Sequence, residues 1–305
     1  MTEPERSAPV SFDAYPGLFQ GADVAAVSLR SRHYGGEALL LVLNPVSAGL
    51  ALLVTLGAVR LPGAVFTAIS TMLMVLALWV TRAAHWQHKW YECRSVAEDL
   101  KRLTWRYLMQ LEPFTADEKA PDAAFVSAAN GILHRYPGVL TIVGRRDHTP
   151  SPPVTPEMRR VRQSSVEERA ELFLTSRLRP EVAWYAAKAR RLGTADRRWF
   201  AALIFVQVAA VASALILAFR VLRGTWSPAE DGWVVMLTAV GTSMIGWQRS
   251  KRFSDLESSY AATAHALAGM ESARPQPSES GPYVKWLERV EATLAQEHEA
   301  WRHMT

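Results

Sequence analysis

The sequence predicts an all-α membrane protein with two transmembrane helical hairpins, four spans in all, joined to long cytoplasmic amphipathic helices. Three observations predict this. First, four windows, 38–59, 63–80, 200–219 and 232–248, carry no Asp, Glu, Lys or Arg. Each falls within the roughly 17 to 25 residues that an apolar helix needs to cross a bilayer core. Second, Trp79, Trp86, Trp199, Trp226, Trp233 and Trp247 stand at or just beyond the window ends, where an amphipathic ring prefers the headgroup region. Third, apolar residues outside the windows recur at alternating steps of four and three, the 3.5-residue period of a helical seam. Over the whole chain of 305 residues, 49% are hydrophobic and 21% charged; these averages conceal how unevenly the charges are placed.

In chain order, residues 1–30 are expected to be disordered. A first two-span domain covers 31–112, with spans 38–59 and 63–80 closed by the turn Arg60-Leu61-Pro62-Gly63, a Pro-Gly pair being turn chemistry. Beyond the second span, Trp86, Trp90, Cys93, Ala97, Leu100, Thr104, Tyr107 and Leu111 form a seam, so the span should continue as one long helix. Residues 113–156 contain six prolines after Pro113 and are expected to be a linker with small helical pieces, the β-branched run Val139 to Val143 suggesting a short strand. A second two-span domain covers 157–305, with spans 200–219 and 232–248. Leu178, Val182, Tyr185, Ala189 and Leu192 give its lead-in an amphipathic face; Phe253, Leu256, Tyr260, Thr263, Leu267 and Met270 follow the fourth span. The break from Ala273 to Pro282 should fold Tyr283, Leu287, Val290, Leu294, His298 and Trp301 back as an antiparallel partner.

Orientation follows from Lys and Arg. Between Arg82 and Arg198 there are 21 basic residues against 14 acidic ones, whereas the opposite side of the spans carries only Arg60, Arg220 and Arg223. The positive-inside rule then places both termini and the central segment in the cytoplasm, with the inner membrane as the location. The net charge of +5 marks a membrane-facing side and anionic headgroups, and nucleic acid is not expected as a partner. With Cys93 as the single cysteine, no intrachain disulfide can form.

Motifs for chemistry are lacking. No glycine-rich phosphate loop, HExxH, CxxC or Gly-x-Ser-x-Gly is present, so no enzyme activity, metal or cofactor is expected. His85, His88 and Glu92 share a helical face but read as solvated residues beside the membrane. Polar residues within the spans carry more information, because polar groups facing lipid are costly. Asn44, Ser47 and Thr55 share a face of the first span, Gln207 marks one in the third, and Thr238 and Thr242 one in the fourth. Such faces either pack helices closely or line a water-filled path, which would need several subunits.

The stretch WQHKWYECRSVAEDLKRLTWRY resembles the signature of SLATT domains, the SMODS- and SLOG-associating two-transmembrane effector domains, through Trp86, Trp90, Arg94, Glu98, Lys101, Trp105 and Tyr107. A second set is similar in kind: Met158, Arg162, Arg169, Arg177, Trp184, Tyr185, Lys188, Arg252, Phe253, Tyr260, Glu291, Glu297, His298 and Trp301. One departure precedes Trp184, where Pro180-Glu181-Val182-Ala183 replaces the family's acidic residue and Gln. The resemblance implies a prokaryotic effector of conflict, anti-phage or stress systems that oligomerises and opens a pore or perturbs the membrane. A cytoplasmic nucleotide-signalling or sensor protein is the implied partner. Asn44, Ser47, Thr55, Gln207, Thr238 and Thr242 are then the pore-face candidates. Trp86, Trp90, Arg94, Glu98, Trp105, Tyr107, Trp184, Tyr185, Phe253, Tyr260, His298 and Trp301 are the candidates for signal reception or oligomerisation. The alternative is a non-conducting scaffold or sensor that binds proteins through the cytoplasmic helices.

Overall fold

A computed structural model of the chain describes residues 15–55, 61–116, 118–144, 152–225 and 231–304. Among them every regular element is helical. The order is α1 (Gly17–Thr55), α2 (Leu61–Ala84), α3 (Trp86–Leu108), α4 (Pro121–Arg135), α5 (Pro137–Gly144), α6 (Pro156–Gln163), α7 (Val166–Phe173), a π-helical turn (Leu174–Leu178), α8 (Arg179–Leu222), α9 (Asp231–Lys251), α10 (Phe253–Ser272) and α11 (Ser280–Met304).

Local chemistry explains the boundaries. Thr155 caps α6 by accepting the Met158 N–H at 3.2 Å, with Pro156 at the first helical position, where its missing N–H costs nothing. Ser165 and Glu168 form a reciprocal capping box at α7, satisfying two otherwise orphaned donors. Helix α8 ends at Gly224, whose φ of +67° and bonds Gly224 N to Val221 O and Thr225 N to Arg220 O make the left-handed cap that glycine adopts freely.

Three helical stretches, Gly17–Val54, Val65–Leu108 and Val166–Leu222, are long and apolar enough to cross a membrane. The fourth charge-free window lies in α9, which is not among them. Thr238, Gly241, Thr242, Ser243 and Gly246 dilute its apolar character.

The structure differs from the sequence reading at three further places. Order begins well before residue 30. Tyr15, Phe19, Ala22, Ala26 and Leu29 are buried, and their spacing repeats the four-three seam found later in the chain. The run Val139 to Val143 is helical, since Val139 and Val143 are the buried residues of α5 and a separation of four puts them on one helical face. The second span does not continue as a single helix: His85, at φ +49°, separates α2 from α3. Arg252, at φ +47°, separates α9 from α10 in the same way. Both are non-glycine residues held in the left-handed region, which is uncommon.

The chain forms two compact units. Unit 1 comprises residues 1–30, 87–190 and 256–305; unit 2 comprises 31–86 and 191–255.

Unit 1 has a dense aromatic core. Trp105, Tyr107, Phe114, Phe125, Phe173 and Trp286 are fully buried. Phe173 stands edge-on between Trp105 and Trp286, with ring centroids 5.7 and 5.9 Å away, the arrangement that the ring quadrupole favours.

In unit 2, α1 packs antiparallel on α9. Leu41 lies at Gly246, Gly49 at Met236 and Leu52 at Gly232, so the contacts run in opposite senses along the two helices. A Cβ on Gly246 would stand 3.0 Å from Leu41, which shows why small residues are needed at this close approach.

Candidate functional site

The first cluster lies in unit 1, where α3, the π-helical turn, α8 and α11 bring four charges into the core. Arg177 is 3% exposed, Glu181 5%, Glu291 1% and Lys101 7%. Arg177 donates to both oxygens of Glu291, from Nε at 3.0 Å and Nη2 at 3.2 Å. Its Nη1 donates to Glu181 Oε1 at 3.1 Å, and Lys101 Nζ donates to the same oxygen at 2.5 Å. Two cations therefore balance two carboxylates without net charge, and the bidentate fork gives the strongest geometry for an Arg–carboxylate pair. Burial would lower the Arg177 pKa, but Glu291 and Glu181 outweigh it and hold the guanidinium above its usual value. Beside this cluster, Trp105 Nε1 donates to Tyr15 Oη at 3.0 Å. Burial pushes the Tyr15 phenol up to about 12.

A second node folds the proline-rich segment back onto α3. The Arg162 guanidinium donates to the carbonyls of Tyr107 at 2.7 Å, Phe114 at 2.9 Å and Thr115 at 3.0 Å, and lies 4.9 Å from the Tyr107 ring centroid. Tyr107 Oη donates to Asp122 at 2.5 Å, and Arg159 Nε to its other oxygen at 2.6 Å. Burial acts to raise Asp122, yet these hydrogen bonds hold its carboxyl below the usual range. Next to it opens a groove of about 520 Å³ lined by Asp122, Ser127, Asn130, Pro152, Val154 and Arg159. Residues 113–156 thus include a structured lobe held to α3.

Of the signal candidates in unit 1, Trp105 and Tyr107 belong to these nodes, and the others have partners of their own. Trp90, Trp105, Tyr107, Tyr185 and Tyr260 are buried. Arg94 pairs with Glu98 at 2.5 Å and approaches Asp23 at 3.6 Å. Trp184 meets Tyr260 edge-on at 5.6 Å, Tyr185 donates to Glu297 at 2.6 Å, and His298 is half-buried. In unit 2, Trp86 is half-buried and Phe253 buried. The Trp301 and Thr55 side chains lie outside the described residues.

The remaining pore-face candidates divide. Asn44 Nδ2 donates across unit 2 to Ala239 O at 3.3 Å and Ser243 Oγ at 3.1 Å, and Ser47 bonds Ser70 at 2.7 Å. Gln207 is exposed yet sits against Gly241. Thr238 and Thr242 are exposed and donate to carbonyls of their own helix, Val234 O at 2.8 Å and Thr238 O at 2.9 Å. Asn44 and Ser47 are thus engaged between helices, whereas Gln207, Thr238 and Thr242 are exposed. His88 pairs with Glu92 at 3.3 Å, and among the described residues no group of three or more His, Cys, Asp or Glu comes together as a metal site.

Sequence reasoning passed over Tyr15 and Asp122, which the structure places in these clusters. The seam spacing from Tyr15 to Leu29 was a usable signal for the first; nothing local marks Asp122.

Residues 16–170 match the family described as SMODS and SLOG-associating 2TM effector domain 3. The chain belongs to the SLATT family. A second match follows in tandem, to SMODS and SLOG-associating 2TM effector domain 1 over residues 173–301. SLATT domains are membrane effectors associated with conflict and anti-phage systems. Each SLATT copy contributes helices to both structural units, since 16–170 includes α1, α2 and α3 and 173–301 includes α8, α9 and α10. No curated protein and no solved structure matches the chain.

Proposed function

We propose that this tandem SLATT protein is an inner-membrane effector of a prokaryotic conflict or stress system. Four helices, α1, α2, α8 and α9, cross the membrane with both termini in the cytoplasm. Unit 1 receives a signal from a cytoplasmic partner, and several copies assemble so that polar span residues line a conducting path. The carrying observation is the inverted polarity of unit 2. Met72, Phe205 and Leu215 are 65%, 75% and 66% exposed, while Asn44 and Ser47 bond to neighbouring helices. An apolar exterior around hydrogen-bonded polar residues suits lipid as solvent. In the single chain Asn44 and Ser47 are engaged with α9 and α2, so opening has to break those bonds or leave the path to contacts between copies.

Ion flux through the purified protein in liposomes tests this. The oligomeric wild type should conduct, and Asn44→Leu or Gln207→Leu should change the flux by several fold. Flux no greater than that of empty vesicles in every case overturns the pore. The engagement of Asn44 and Ser47 favours a second reading, a non-conducting scaffold. In that case a partner co-purifies through unit 1 while membrane potential is unaffected by expression.

A further inference from the structure

We infer that one end of unit 2 is a binding collar for anionic phospholipid headgroups. This rests on the proposed membrane embedding of that unit. The contacts within unit 2 bring four helix segments to a common level. Tyr34 of α1 lies under Lys251, whose Nζ is 3.1 Å from its ring centroid and 4.5 Å from that of Trp247. Gly36 abuts Thr81 of α2, Asp196 of α8 accepts from Gln248 of α9 at 3.2 Å, and the Trp199 ring lies tilted 6.4 Å from that of Trp247. At or within two turns of that level stand Arg32, Arg82, Arg191, Arg197, Arg198 and Arg249, all exposed. None makes an ion pair with a described residue.

The nearby acids are already engaged. Glu37 accepts from Ser250 and faces His33, Asp196 accepts from Gln248, and Asp255 pairs with Arg252 at 3.0 Å. Six uncompensated guanidiniums thus sit where the apolar surface of α2 and α8 ends, interleaved with Tyr34, Trp199 and Trp247. Guanidinium matches phosphate oxygens in a bidentate fork, and indole rings prefer headgroup depth. A phosphodiester with net negative charge, presented by a bilayer, fits this collar. A zwitterionic headgroup carries its own cation beside the phosphate and should be held less well.

The test uses the full-length chain in mixed vesicles of phosphatidylcholine and phosphatidylglycerol, reading tryptophan quenching by brominated versions of each lipid. The wild type should select phosphatidylglycerol by about five-fold or more, the effect of a single cation near an anionic surface. The combined variant Arg82→Gln, Arg197→Gln, Arg198→Gln and Arg249→Gln should bring the ratio close to unity, and Lys at the same four positions should largely restore it. Changing Arg220 and Arg223 to Gln should leave the ratio as it was. Wild-type selectivity in the four-Gln variant, or equal loss in the Arg220 and Arg223 variant, overturns the collar. Extraction of the wild type by alkaline carbonate would overturn the membrane embedding instead; a protein that resists extraction but lacks selectivity overturns only the collar.

Discussion

Unit 1 and unit 2 solve opposite solvation problems with the same kind of helix. In unit 1 charges are buried and matched, as in the Arg177, Glu181, Glu291 and Lys101 cluster, and aromatic rings fill the space around them. In unit 2 the exposed surface of the charge-free stretches is largely apolar, as at Met72, Phe205 and Leu215, and Asn44 and Ser47 bond within the helix packing. The difference teaches that periodicity alone does not distinguish a helix that buries charge from one that exposes apolar surface. Where the charges sit relative to the seam does.

The strongest way to break the comparison is Arg177→Met. It leaves Glu291 without its bidentate partner inside the core, an uncompensated buried charge that costs about 3 to 5 kcal/mol. Thermal unfolding in detergent should register a large drop. Adding Glu291→Leu should recover much of the loss, because removing both charges removes the penalty; no recovery would mean that the cluster is not the electrostatic unit described.

Next in size is the alkaline limit of unit 1. Tyr15 titrates near 12 when folded and near 10 when unfolded. Its contribution is therefore complete below about pH 10 and lost as pH rises toward 12, by up to about 3 kcal/mol. The difference in Tm between wild type and Tyr15→Phe should shrink across that window. A constant difference would show that Tyr15 is not held in its neutral form by the core.

The smallest effect sharpens the comparison from the unit 2 side. Asn44→Leu removes one interhelical hydrogen-bonding group and should cost about 1 kcal/mol, read as loss of helix–helix stability in detergent titration. A cost as large as that of Arg177→Met would erase the distinction between the units.

Much of this was legible in the sequence. The charge-free windows, the paired hairpins and the seams on α3, α10 and α11 follow from spacing and charge, and the SLATT signature stands in the residues around Trp86 and Trp184. The α1 start was missed because its buried face is built largely from Ala22, Ala25 and Ala26, whose small side chains give a weak hydrophobic signal. The pairing of Arg177 with Glu291, 114 residues apart, could not be read from one sequence, since no local pattern ties the two. Nor does the composition of the first span tell whether Asn44 points to a neighbouring helix or to water; that depends on Ser243 and Ala239 of α9.

The left-handed residues at His85 and Arg252 fall at the same step of each repeat, immediately after the second helix of the hairpin. The first helix of each repeat, α1 or α8, has no left-handed residue, although α1 carries Pro45, which lacks the N–H of a full ladder. A continuous helix behaves as a shaft, passing rotation from one end to the other, whereas a residue in the left-handed region interrupts the hydrogen-bond ladder and acts as a joint.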